Sequence, residues 1–143
     1  MSKEPVNIDE IKVESVMSKD FLIIDKSTSI KQVRDMFLQT DFATLLIVDE
    51  KGQLTGVVAA FDFLKLFDVK GKFDYEECRE KPVSDFESVA RWGAITVGPQ
   101  DNLGKCIEYM SSFRTRYLPV LDKGRKVVGL ISINDIVKFL LPG

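Results

Sequence analysis

At 143 residues, 45% hydrophobic and 29% charged, the chain has the composition of a folded globular protein, with room for one domain or two small ones packed together. A net charge of −2 supplies no broad basic surface, which argues against a general nucleic-acid binder. The absence of histidine removes every His-based catalytic triad and the commonest transition-metal ligand.

No run approaches the length of a membrane-spanning helix, so no membrane partner is expected. The first residues, Met1-Ser2-Lys3-Glu4-Pro5, lack the apolar stretch of a secretory signal, and the expected location is the cytoplasm. No loop has calcium-binding spacing, and no metal site is expected. Of the two cysteines, Cys106 falls on an apolar helical stripe and reads as core. Cys78 sits in the charged run Glu76-Glu77-Cys78-Arg79 and reads as a surface residue.

In chain order, Phe21–Ile24 reads as a short strand, and Ser27-Thr28-Ser29 as a helix start. Ile30, Val33, Met36 and Phe37 then share one helical face. Leu45–Val48 is a strand, Asp49-Glu50-Lys51-Gly52 a turn, and a second strand begins near Leu54. A helix carrying Phe63, Leu64, Leu66 and Phe67 follows. Asp68–Lys81 reads as an exposed connector with room for a short helix. Pro82 opens a second series. Its segment Val83-Ser84-Asp85-Phe86 resembles Val13-Glu14-Ser15-Val16, and the path onward is about three residues longer than in the first series and contains Trp92. Ala94–Val97 reads as a strand and Gln100-Asp101-Asn102 as a helix start. Leu103, Cys106, Ile107 and Met110 form a helical stripe. The strand Leu118–Leu121, the turn Asp122-Lys123-Gly124-Arg125, a strand from Val127 and a helix over Asp135–Leu141 complete it.

The two series are one pattern repeated. With Gly56 over Gly129, 73 positions on, Asp49 lies over Asp122, Asp62 over Asp135, Leu45 over Leu118 and Ile30 over Leu103 without a gap. The fold class is α+β, two β-α-β-β-α repeats. The domains run 1–67, for the N-terminal segment and repeat one, 68–81 for the connector, and 82–143 for repeat two.

Three motifs make the resemblance specific. Val13-Glu14-Ser15-Val16-Met17-Ser18 resembles the opening motif of a cystathionine-β-synthase-type (CBS) repeat. Leu118-Pro119-Val120-Leu121-Asp122 resembles that family's Leu-Pro-Val-Val-Asp strand. Gly129-Leu130-Ile131-Ser132-Ile133-Asn134-Asp135-Ile136 matches its closing signature, and Gly56–Phe63 keeps the Gly and Asp of that signature but loses the hydroxyl. The resemblance implies a tandem pair, or Bateman module. Its repeats pack through their sheets with pseudo-twofold symmetry, and two clefts between them bind AMP, ADP, ATP or S-adenosylmethionine in many members. Such pairs are regulatory and often fused to enzymes, channels or transporters. A chain of this length leaves no room for such a fusion, so a stand-alone module or a cut-out fragment is expected.

What the resemblance implies for the site follows residue by residue. A ribose diol can donate two hydrogen bonds to one carboxylate, and Asp135 and Asp62 occupy that motif position. Ser132 adds a hydroxyl, and Gly129 allows close backbone approach. Ile95 and Thr96 supply walls for adenine. Arg116, ahead of Tyr117 and Pro119, stands where many members carry a phosphate contact. A second, weaker cleft would use Leu22, Ile23, Gly56, Ala59 and Asp62. There Ala59 replaces Ser132, Ala43 replaces Arg116 and Asp41 replaces Arg114, which leaves no hydroxyl and no obvious cation.

Structural readings stand beside these. Ser132 and Asp135 also form a capping box. Arg114 and Arg116 alternate, so on extended backbone they share one face that solvent alone could claim. Gly56 and Gly129 also suit close packing, and Asp49 and Asp122 suit turns. No activated nucleophile or acid–base pair is visible. The expectation is therefore a non-enzymatic module that needs no cofactor and takes an adenine nucleotide or S-adenosylmethionine as regulatory ligand. The alternative is a structural or protein-interaction module with degenerate clefts. Stand-alone modules of the family commonly pair into a flat disk, and the apolar positions Ile136, Val137, Phe139, Leu140 and Leu141 on the last helix point to a homodimer. The regulated protein partner is not identifiable.

Overall fold

The protein is described by a computed structural model covering residues 4–40, 44–67, 73–86 and 89–143. It is mixed α and β, and its backbone contacts gather into two compact units. One is Phe21–Ala94. The other joins the residues up to Asp20 to Ile95–Gly143. This grouping by contact cuts across the repetition in sequence, because the opening segment of each repeat folds with the body of the other.

In the Phe21–Ala94 unit, four strands form a sheet in the order β1 (Leu22–Ile24), β2 (Thr44–Val48), β3 (Leu54–Ala59), β4 (Arg91–Trp92). β1 runs parallel to β2, and the β2–β3 and β3–β4 pairs are antiparallel. β2 is central, and Leu45, Leu46 and Ile47 are fully buried, as expected of an apolar strand covered on both faces. Helix α1 (Ile30–Gln39) starts in a capping box: the Ser29 hydroxyl accepts from the Gln32 N–H and the Gln32 side chain accepts from the Ser29 N–H. It buries Ile30 and Val33 in a core with Ile24, Leu45, Ile47 and Val58. The helix after β3 is short, α2 (Ala60–Phe63) followed by a 3-10 turn over Leu64–Phe67. The connector carries the one-turn helix α3 (Tyr75–Cys78), which buries Cys78 to 7% exposure; the expected surface cysteine is a core residue. The connector residues 68–72 lie outside the described residues.

The second unit repeats the plan with its outer strands reduced to single bridges. β5 (Tyr117–Leu121) and β6 (Val127–Ser132) pair antiparallel. Val97 bridges Val120 in parallel on one edge, and Ser18 bridges Leu130 in antiparallel on the other. The expected strand Ala94–Val97 is therefore one bridging residue. Asn102 caps α4 (Leu103–Phe113), which buries Leu103, Cys106 and Met110, and α5 (Ile133–Leu140) closes the chain. Asp49 and Asp122 hold their turns as expected, each side chain accepting two backbone N–H groups at 2.9–3.0 Å.

The exchange of opening segments is held by backbone hydrogen bonds. Val13–Ser15 forms a 3-10 turn, with the Val13 N–H donating to Asp101 O at 2.8 Å and Glu14 N–H to Pro99 O at 3.0 Å, and Val13 is fully buried beside Leu103 and Ile131. Val83–Asp85 forms the matching turn, with the Val83 N–H donating to Thr28 O at 2.8 Å, and Val83 buries beside Ile30.

Candidate functional site

In the unit with the second repeat's sheet, the β5–β6 register sets Tyr117 opposite Ser132 and Pro119 opposite Leu130. The Ile133 N–H donates to Arg116 O at 2.9 Å, which ties Arg116 to the start of α5. Arg116, Tyr117, Ser132 and Asp135 thus meet at one end of the hairpin. Ser132 is the N-cap of α5 and Asp135 its third residue. The Asp135 N–H donates to Ser132 Oγ at 3.1 Å, and the Ser132 N–H donates to Asp135 Oδ2 at 2.9 Å. The capping box is real, and it uses one carboxylate oxygen. Oδ1 accepts no hydrogen bond among the described residues, and Asp135 stays partly accessible.

Arg116 is exposed and pairs with no carboxylate among the described residues. Arg114 does not share its face on extended backbone as expected. It is the left-handed C-cap of α4, at φ 51° and ψ 43°. Gly129 is buried beneath Met17: a Cβ there would collide with Met17 Sδ and stand 3.1 Å from Ser18 O. Ile95 and Thr96 precede the Val97 bridge on the far edge of β5, and Ile95 packs on the core. Met17 and Ser18 are brought to Gly129 and Leu130, and periodicity gave no signal for that pairing.

In the Phe21–Ala94 unit the second carboxylate is differently placed. Asp62 is again the third residue of a helix, but Ala59 cannot cap, and the Asp62 side chain is 0% exposed. Arg91 Nη2 donates to Oδ1 at 3.0 Å, and Nε stands 2.7 Å from Oδ2, a close ion pair without an aligned hydrogen bond. Lys65 Nζ lies 3.1 Å from Oδ1. The expectation that this position lacks a cation is thus corrected: it has two, one from β4 and one from the turn after α2. Neither was legible, because Arg91 lies 29 residues from Asp62 and Lys65 reads as an ordinary surface lysine.

Gly56 has a defined role here. A Cβ on it would stand 2.7 Å from Arg91 O and 2.8 Å from Trp92 Cε3, so glycine is what lets β4 lie against β3. Leu22 and Ile23 lie on β1, the sheet's other edge, with Ile23 exposed. An open cavity of about 810 Å³ on this unit is lined by Ile23, Val48, Thr55, Trp92 and the turns at 25–28 and 49–53. It takes in none of Leu22, Gly56, Ala59 or Asp62. The counterparts Asp41 and Ala43 lie outside the described residues.

Neither thiol is poised to react. Burial pushes the Cys106 thiol up to about 11 and raises that of Cys78. Among the described residues there is no cluster of Cys, Asp and Glu able to hold a metal, and no helix is long and apolar enough to cross a membrane.

A family model described as "CBS domain" matches residues 13–68 and 83–142. Among curated proteins, the uncharacterized protein MJ1225 of Methanocaldococcus jannaschii is 27% identical over 136 residues, 92% of this chain and 48% of its own length. The inosine-5'-monophosphate dehydrogenase of Aquifex aeolicus is 27% identical over 96% of this chain and 26% of its own. The chain spans half or less of the length of these relatives. Among solved structures, CBSX2 in complex with AMP superposes with a TM-score of 0.77 at 22% identity, covering 92% of this chain and 96% of that one. The CBS domain pair of MJ0100, in complex with 5'-methylthioadenosine and S-adenosyl-L-methionine, superposes with a TM-score of 0.72 at 23% identity, covering 90% and 94%. At these identities the superpositions establish the fold.

Proposed function

The chain belongs to the CBS domain family and carries the domain twice as a tandem pair, and on that premise we propose that it is a regulatory, non-enzymatic module that binds an adenosine-containing ligand at Asp135. The observation that carries this reading is the gathering of Arg116, Ser132 and Asp135 at one end of the β5–β6 hairpin, with Asp135 Oδ1 and the Arg116 guanidinium both uncommitted among the described residues. A ribose diol donates to the carboxylate through charge-assisted bonds. A phosphate reaches for the guanidinium. The relatives crystallised with AMP and with S-adenosyl-L-methionine support the ligand class. In this reading the module acts in the cytoplasm, with an N-terminal segment and the first repeat over 1–67, a connector over 68–81 and the second repeat over 82–143.

A second reading has its own observation. Phe61, Leu64 and Phe67 are exposed after β3, and Ile133, Val137, Phe139 and Leu141 on and after α5. Apolar side chains so exposed on matching helices of both repeats support a homodimer. The two readings are compatible.

Thermal unfolding in the presence of AMP, ADP, ATP, adenosine, S-adenosylmethionine or NAD tests the first. A ligand selective for the native state raises Tm with concentration, by about 2.7 kcal/mol of added stability at a hundredfold excess over Kd. No shift with any member of the panel rejects it.

A further inference from the structure

Asp62 and Asp135 hold the same place in the two repeats, yet the chain has committed them differently. We infer that Arg91 closes the Asp62 position from within, so that each chain carries one adenosine site, on Asp135, and not the two that a pair of repeats suggests.

The closure rests on backbone register. Arg91 lies opposite Val57, and Trp92 lies opposite Gly56. That pairing delivers the guanidinium to a fully buried carboxylate, where it engages both oxygens while its own side chain remains 58% exposed. Lys65 adds a second positive charge at Oδ1. A ribose diol offers neutral donors. To displace a cation already tethered beside the carboxylate, it must replace contacts charged on both sides with hydrogen bonds charged on the acceptor alone, and also meet the entropic cost of association.

The other repeat shows what the position looks like when open. Ser18 lies opposite Leu130 in the register in which Arg91 lies opposite Val57, both members being 73 positions apart. Ser18 carries no charge, and its hydroxyl is taken locally, accepting from the Asp20 N–H at 3.1 Å. Asp135 therefore turns one oxygen back to the Ser132 N–H and keeps the other. At that register position Arg91 stands in place of Ser18, and with Lys65 beside it and no capping hydroxyl at Ala59 it distinguishes the closed carboxylate from the open one. The single-site count rests on the reading of Asp135 given above; the closure of Asp62 does not.

Two measurements separate the two claims. The first is calorimetric titration of AMP and of adenosine into wild type, Asp62→Asn and Arg91→Ser, the last installing the residue found at the matching position. The expected stoichiometries are one per chain in wild type, one in Asp62→Asn and two in Arg91→Ser, with Arg91→Gln as the substitute should Arg91→Ser not unfold cooperatively. Two equivalents in wild type with one lost in Asp62→Asn, or one equivalent in the folded Arg91 variant, overturns the closure. The second measurement is the thermal unfolding cycle of Arg91→Ser and Asp62→Asn without nucleotide. Arg91→Ser lowers Tm by about 5 °C in the wild-type background and by much less in the Asp62→Asn background. Equal shifts in both backgrounds overturn the closure whatever the protein binds. A coupled cycle in a protein that binds neither AMP nor adenosine upholds the closure and rejects Asp135 as a ribose ligand, and the single-site count with it.

Discussion

Arg91 reaches Asp62 across 29 residues of sequence and sets Nη2 3.0 Å from Oδ1. The carboxylate it holds is fully buried and the guanidinium is half exposed, so the pair is worth less than a wholly buried one. Removing the cation leaves a buried carboxylate with Lys65 alone. We expect Arg91→Ser to cost about 2 kcal/mol, below the roughly 3–5 kcal/mol of breaking a fully buried pair. Chemical denaturation checks this, and a loss under about 0.5 kcal/mol contradicts it.

Gly56 supplies a second test of the same strand. An added Cβ must displace Arg91 O and the Trp92 ring, so Gly56→Ala is expected to destabilise by about 1–3 kcal/mol. Trp92 is the protein's one tryptophan and lies in that contact, so the emission spectrum of Gly56→Ala should shift in the native state. An unchanged spectrum with unchanged stability would show that β4 does not pack on Gly56.

The thiols give a pH-dependent prediction. Burial raises both, Cys106 to about 11, so both are neutral and inert at pH 8 in the native state. Raised folded values mean that this contribution to stability is fully present below the unfolded value near 9 and is lost as pH rises from there through about 11. A chromogenic disulfide reagent at pH 8 should label neither cysteine in native protein and both after unfolding. Prompt labelling of native Cys78 would place it at the surface.

Assembly is tested by mass. Light scattering at high micromolar concentration should give a dimer, and a charge at an exposed apolar position of α5, Val137→Glu, should give a monomer of unchanged secondary structure. A monomeric wild type removes the second reading.

Much of the architecture was legible because it is local. Apolar runs gave the strands at 45–48 and 118–121, Asp49 and Asp122 gave the turns, and Ser132 with Asp135 gave the capping box. The signals that failed were those in which distant backbone decides. Val13 and Val83 resemble each other in sequence, but nothing in their composition says that each packs with the opposite repeat. Cys78 sits among charges, yet a one-turn helix has too few residues to show an apolar stripe, and its one buried position falls on the cysteine. Arg91 has the appearance of a solvated residue until the β3–β4 register places it on Asp62. Ile95 and Thr96 have the pattern of a strand, whereas among the described residues of that segment Val97 alone bridges β5.

Phosphate recognition is separable from ribose recognition. Arg116→Ala should weaken AMP about tenfold and leave adenosine nearly unchanged, since only AMP carries the phosphate. Equal losses for both ligands would show that Arg116 supports the fold of the site and does not hold the phosphate.

The most direct measurement is calorimetric titration of AMP into wild type and into Asp135→Ala, with folding confirmed for both because Asp135 also caps α5. Two charge-assisted hydrogen bonds at roughly 1.5–3 kcal/mol each are at stake, so the affinity of Asp135→Ala should fall at least about tenfold. Equal AMP affinity in wild type and folded Asp135→Ala would contradict the assignment of Asp135 as the ribose ligand.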